Sequence, residues 1–192
     1  MDKEKIGFFG GCFNPPINTH IDIANKLVQN SVIDKVIFVP VGDYYKKQNL
    51  VPAIHRYNML QLSCENYKNL EVEDIASTHK GMLYATDTFE LIQKKYSNTA
   101  DIYFIMGSDN FQKMPLWKNY EEIIKKYKFI VIERLKHEIP CNLANVVYFH
   151  NKQKEDVSST GIRHKLQNRE DVTDWINEKV FLYIQKNKLY IR

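Results

Sequence analysis

A chain of 192 residues with 44% hydrophobic residues is long enough to bury a core as one domain. Its 27 Lys and Arg against 23 Asp and Glu leave a net charge of +4, which suits a small anionic ligand and is too mild to imply nucleic-acid binding. Cys12, Cys64 and Cys141 lie far apart without a C-x-x-C pair, which argues against a disulfide framework and a zinc site and fits a reducing cytoplasm.

The first element is an apolar strand over Lys5–Phe9, followed by Gly10 and Gly11, whose missing Cβ atoms let the backbone turn sharply and approach a ligand. Pro15 and Pro16 stiffen the exit, and His20 falls on the first turn of a helix in which Ile21, Ala24, Leu27 and Val28 repeat at helical spacing. The amino end of that helix suits an anion, with the imidazole beside a bound phosphate. A plain strand–turn–helix corner is the alternative, because the two glycines match neither the dinucleotide fingerprint nor a P-loop. These glycines and Pro15 also interrupt the apolar segment near the amino end, so no secretion signal is expected, and no apolar run approaches membrane-spanning length.

Further along, strand-like Lys35–Val39 precedes a loop carrying Tyr44, Tyr45, Lys46 and Lys47, then a helical Pro52–Asn66 and a short strand at Leu70–Glu73. Tyr84–Tyr96 is helical with Phe89, Ile92 and Tyr96 on one face. A buried-type strand, Ile102–Met106, leads into Gly107-Ser108-Asp109. Tyr120–Lys126 is a short helix, Phe129–Glu133 and Val146–Phe149 are strands, and helices of about Ser159–Gln167 and Trp175–Lys186 follow, opened by Ser or by Asp/Thr caps. Alternating strands and helices predict an α/β fold with a doubly wound, mostly parallel Rossmann-like sheet. Ligands of such sheets bind at the carboxyl ends of the strands, so the loops after Phe9, Val39 and Met106 are expected on one rim.

Several side chains there suit nucleotide chemistry. Ser159 and Arg163 share a helix face, so hydroxyls, helix N–H groups and a guanidinium converge on a polyphosphate; an N-cap with a surface Arg is the plain alternative. Asp109 suits ribose hydroxyls, with helix capping by Ser108 or Asp109 as the rival account. Trp117 suits stacking on a planar ring or packing as a half-buried anchor. Tyr44–Lys47 suits a phosphate, a solvated loop or a single-stranded RNA contact. His55, His79, His137, His150 and His164 lack metal-ligand spacing, and Cys12, set against the Gly-rich turn, reads as buried packing.

Taken together, Gly10-Gly-Cys-Phe-Asn-Pro-Pro-Ile-Asn-Thr-His20 and Ser158-Ser-Thr-Gly-Ile-Arg163 resemble the two signatures of the HxGH nucleotidyltransferases. The likeness is closest to the bacterial nicotinate mononucleotide adenylyltransferase family and covers essentially the whole chain, including Lys47, His55-Arg56, Gly81-Met-Leu-Tyr84-Ala-Thr-Asp-Thr, Gly107-Ser-Asp109, Pro115-Leu-Trp117 and Lys188-Leu-Tyr190. The resemblance implies one nucleotidyltransferase domain over 1–192, with 157–192 a helical part that completes the ATP site. It implies transfer of AMP from ATP to nicotinate mononucleotide, with Mg²⁺ carried on ATP and without a protein cage. By likeness, His20 and Arg163 are catalytic. Gly10, Gly11, Cys12, Phe13, Gly107, Asp109, Arg134, Ser159 and Thr160 join them in holding ATP, while Lys47, Tyr84, Ala85 and Trp117 hold the acceptor.

The chain departs from the family pattern at several places. Asn14 stands for Asp, Ile17 for the first His and Thr19 for Gly, so one phosphate donor is missing from the first signature. Met82-Leu83-Tyr84-Ala85 replaces Pro-Ser-Tyr-Thr, Tyr44-Tyr45-Lys46-Lys47 replaces Pro-Pro-His-Lys, and Arg134-Leu135-Lys136 replaces Arg-Pro-Gly. A sibling transferase with another phosphorylated acceptor, or a nucleotide-binding paralogue with little turnover, is therefore kept beside the main reading. A homo-oligomer is also left open.

Overall fold

The computed structural model describes residues 3–75, 81, 83–117, 119–134, 143–150 and 157–190. Expectations for His79, Met82, Leu135, Lys136, His137 and Cys141 lie outside the described residues.

In chain order the elements are β1 (Glu4–Gly11), α1 (Asn18–Gln29), β2 (Lys35–Pro40), α2 (Ala53–Cys64), β3 (Leu70–Val72), α3 (Ala85–Tyr96) and β4 (Ala100–Gly107). There follow α4 (Ser108–Phe111), a one-turn 3₁₀ helix at Met114–Leu116, α5 (Tyr120–Lys126), β5 (Lys128–Ile132), β6 (Val146–Phe149), α6 (Ser159–Gln167) and α7 (Glu178–Lys186). The strands form one sheet in the order β3-β2-β1-β4-β5-β6, and every described pairing is parallel. β2 and β4 pair with the two flanks of β1, and the order reverses between β1 and β4, which opens a crevice at their carboxyl ends.

The central strands β1, β2, β4 and β5 are apolar and buried through most of their length because both faces are covered there. On β1 the two-residue period sends Phe8 and Phe9 to opposite sides. Phe8 joins Ile92 of α3, Phe104, Phe129 and Ile123 of α5, whereas Phe9 joins Phe38, Ile105, Ile130, Leu27 of α1 and Leu60 of α2. A third cluster lies away from the sheet, where Ile162 and Leu166 of α6 meet Val180 and Ile184 of α7, Met59 of α2 and Ile17 at the start of α1. That cluster docks the carboxyl-terminal helices beside the first turn of α1.

Two elements differ from expectation. The last helix begins at Glu178 rather than near Trp175. The Trp175 carbonyl instead accepts the Asn18 backbone N–H at 2.8 Å, and Asn177 caps α7 by accepting the Lys179 N–H at 2.8 Å. The short α4 and the 3₁₀ turn between Gly107 and Trp117 were not expected, since four and three residues are too few to show a period.

Candidate functional site

A cavity of about 520 Å³ opens at the carboxyl ends of the strands, at the point of order reversal. The loops after β1, β2 and β4 all line it, so the rim grouping expected from the sequence holds. Every residue that the family resemblance assigns to ATP or to the acceptor stands on its wall. Of the Tyr44–Lys47 segment, Tyr44, Tyr45 and Lys47 reach it. Lys47, Arg134 and Arg163 outnumber Asp109 and Glu133 among the charged wall residues, which favours an anionic guest.

The paired glycines act differently from the sharp turn expected of them. Gly10 and Gly11 remain in β1, paired with Val39 and Pro40. The chain turns later, at Phe13, whose φ of +44° is left-handed. A Cβ on Gly11 would lie 2.9 Å from the Phe13 ring, so the bare backbone there lets that ring fold in. Cys12 is not buried packing: it is half-buried on the cavity wall, with the Lys47 ammonium 3.7 Å from its Sγ.

His20 occupies the third position of α1, and its Nδ1 accepts the Ile17 backbone N–H at 3.1 Å. The neutral ring therefore carries its proton on Nε2. Although His20 keeps some surface at the cavity, its imidazole stands edge-on to Phe13 and Phe9, with centroids at 5.2 and 6.2 Å. Burial, and then the nearby Arg134 charge, push its pKa down to about 3. The side chain is thus a neutral donor.

The amino end of α6 docks on the loop that follows β1. Ser158 caps the helix by accepting the Gly161 N–H at 3.2 Å, Ser159 Oγ donates to the Pro15 carbonyl at 2.8 Å, and Arg163 donates through Nη1 to the Asn14 carbonyl at 2.8 Å. Arg163 Nη2 also donates to Thr160 Oγ1 at 3.1 Å. Two of the guanidinium's five N–H donors are used this way, which fixes its plane while others remain for a phosphate. Ser159 has committed its proton to Pro15, so toward a phosphate it offers its place in the first helical turn.

Beyond β4, Asp109 Oδ1 lies 3.3 Å from Arg134 Nε, and the Arg134 N–H is accepted by buried Ser108 Oγ at 3.0 Å. Neither Ser108 nor Asp109 caps α4. A Cβ on Gly107 would fall 2.4 Å from Asp109 Oδ1 and 2.6 Å from Arg134 Nε, so glycine is what allows the pair to close over this strand end. Also on the cavity wall, exposed Tyr84 and Ala85 open α3, and half-buried Trp117 packs near Phe89 at 6.4 Å between ring centroids. Trp117 thus packs on the Phe8 side of the sheet, whereas His20 packs on Phe9 and Phe13 on the other side.

Sequence reasoning missed the supports of this loop. Arg56 is fully buried; its Nε donates to the Val51 carbonyl at 2.8 Å and its Nη1 to the Cys12 carbonyl at 3.2 Å, with Asp43 Oδ1 3.6 Å from Nη2. Asp43 also accepts the Ala53 N–H that starts α2. Asn14 is likewise buried and hydrogen-bonded on both sides of its amide. Ile17, 3% exposed, packs in the carboxyl-terminal cluster while bordering the cavity. The only signal for Arg56 was its place beside His55 in the family pattern, because a lone Arg on a helix reads as surface.

Comparison with known proteins places this geometry. The cytidylyltransferase-like family profile matches residues 8–165. A probable nicotinate-nucleotide adenylyltransferase of Clostridium tetani is 33% identical over 97% of this chain and 99% of its own length. The nicotinate-nucleotide adenylyltransferase of Bacillus subtilis is 29% identical over 97% of this chain and 98% of its own. The solved nicotinic acid mononucleotide adenylyltransferase of Plasmodium falciparum, complexed with NaAD, shares the fold with a TM-score of 0.83 at 22% identity, covering 97% of each chain. On the match of the profile and of full-length relatives, the chain belongs to the cytidylyltransferase-like family and, within it, to the nicotinate-nucleotide adenylyltransferases.

Proposed function

We propose that this chain transfers AMP from ATP to nicotinate mononucleotide, giving nicotinate adenine dinucleotide and pyrophosphate. The observation that carries the reading is one cavity at the strand ends whose wall holds a neutral imidazole, a fixed guanidinium and an indole together. An oxygen of the acceptor's 5′-phosphate attacks the α-phosphorus of ATP in line, and the bond from that phosphorus to the bridging oxygen breaks as pyrophosphate takes its electrons. No covalent intermediate with the protein is needed, and catalysis is positioning plus charge stabilisation.

His20 donates through Nε2 to an α-phosphate oxygen, where negative charge builds. Arg163, with Ser159 and Thr160 at the start of α6, binds the departing β- and γ-phosphates. Gly107, Asp109 and Arg134 hold the adenosine side, Gly10 to Phe13 border the phosphates, and Lys47 contributes a mobile point charge. Trp117 with Tyr84 and Ala85 receives the pyridine ring. In this reading a Mg²⁺ ion would enter with the triphosphate, held by its phosphate oxygens. When bound, it neutralises part of the leaving group's charge. In this reading 1–192 acts as one unit, with residues 157–192 completing the ATP site, in the cytoplasm. Among the described residues no helix is long and apolar enough to cross a membrane.

The test is pyrophosphate release by the purified chain with Mg-ATP and, in parallel, nicotinate mononucleotide, nicotinamide mononucleotide or phosphopantetheine. Fast release with the first supports the assignment. Preference for another acceptor keeps the chemistry and replaces the substrate, and no release despite ATP binding favours a nucleotide-binding paralogue, for which Ile17 in place of a donor is the structural argument.

A further inference from the structure

We propose that Tyr190 is a positioning residue for the phosphate grip, acting through the Asn14 side chain on the loop whose carbonyl orients Arg163. The inference deepens the adenylyltransferase reading and rests on it.

Asn14 joins four parts of the chain. Its Oδ1 accepts the Tyr190 hydroxyl at 2.8 Å and the Val51 N–H at 3.3 Å, and its Nδ2 donates to the Asn49 carbonyl at 2.8 Å. Its own main-chain carbonyl accepts Arg163 Nη1 at 2.8 Å. At 2% exposure the amide has almost no access to water, so losing the Tyr190 hydroxyl leaves Oδ1 with only the longer 3.3 Å bond from Val51 and no solvent to replace the shorter one. Holding the side chain fixes the backbone of residue 14, and that backbone fixes the guanidinium. Phosphate binding by Arg163 therefore depends on a hydroxyl 176 positions from the loop it steadies.

The conformation of the tail points the same way. Lys188 and Tyr190 hold φ values of +52° and +61°, a region L residues seldom enter, on either side of Leu189, which is buried in the carboxyl-terminal cluster. Burying Leu189 accounts for one side chain of this turn. The second left-handed residue is the one whose hydroxyl lands on Asn14. Burial raises the Tyr190 pKa, opposed by the Arg163 and Arg56 charges, and the hydroxyl stays a donor through the physiological range.

The experiment compares the full chain with its Tyr190→Phe variant, which keeps the ring and removes one hydrogen bond. Calorimetry with Mg²⁺ and a non-hydrolysable ATP analogue, and separately with AMP, reads the two ends of the nucleotide. We expect about tenfold weaker analogue binding and AMP binding within about twofold, because only the analogue carries phosphates to Arg163. Combining Tyr190→Phe with Arg163→Lys should then cost less than the product of the separate losses, as for two members of one unit. Unchanged analogue binding, or an equal loss for analogue and AMP, would overturn the proposal. Neither comparison involves the acceptor. Failure of the wild-type chain to release pyrophosphate with nicotinate mononucleotide would therefore sink the functional reading alone, whereas failure to bind the analogue would sink both.

Discussion

The Ile17 backbone N–H donates to His20 Nδ1 at 3.1 Å, so the turn that starts α1 also decides which ring nitrogen presents a proton to the cavity. Replacing His20 by Ala should lower kcat by roughly 10²- to 10³-fold, the usual effect of losing one preorganised donor, while leaving ATP affinity within about threefold. His20→Gln, which restores a donor near the Nε2 position, should recover part of the loss. Steady-state kinetics on both variants check this, and a kcat within a factor of about three of wild type for His20→Ala would remove the imidazole from the reaction.

Trp117 serves two ends at once, packing near Phe89 and bordering the cavity. Trp117→Ala should raise the KM for the nicotinate nucleotide several-fold more than that for ATP, and should cost about 2–3 kcal/mol of stability through the cavity it leaves. Chemical denaturation with parallel titration of both substrates separates these effects. Equal changes in both KM values would make Trp117 a core residue only.

Ile17 stands where the family places a phosphate donor, yet its side chain is packed among Met59, Ile162 and Val180. Ile17→His should lose about 2 kcal/mol of stability by burying a polar ring among apolar neighbours, with no gain in turnover. A large increase in kcat would show that a ring at this position turns toward the phosphates instead.

His20 also predicts a pH dependence with a definite sign. Its pKa is pushed down to about 3 in the folded chain, by burial first and then by Arg134, from an ordinary value of 6.5. Between those values the unfolded chain binds a proton that the folded chain refuses, so stability falls as pH drops from about 6.5 toward 3 and is unaffected by this group above 6.5. Denaturant midpoints for wild type and His20→Asn should converge on acidification through this window. Curves that stay parallel would mean that the ring is hydrated.

Local patterns carried most of the architecture. The alternation of apolar strands with helical stretches gave the sheet class, and the rim grouping followed from where the strands end. Position 17, by contrast, was legible only as a departure from a family pattern, since its contacts with α6 and α7 come from residues more than 140 positions away. Arg56 and Asn14 escaped for the same reason: what distinguishes a buried, fully engaged polar side chain from a solvated one is its distant neighbours, and periodicity says nothing of those. The misplaced start of α7 has a nearer cause, because the Trp175 carbonyl that a helix would have used is spent on Asn18 at the head of α1.

The seam between residues 12–15 and α6 with its following tail has a consequence for the protein's biogenesis. The described sheet strands end at Phe149, so they precede in synthesis the guanidinium and the hydroxyl that brace the loop after β1. A ribosome-bound chain stalled before residue 158 would lack the Ser159, Arg163 and Tyr190 contacts to residues 14 and 15 and the apolar partners of Ile17 and Met59, so this edge of the crevice is the last part of the protein to be completed.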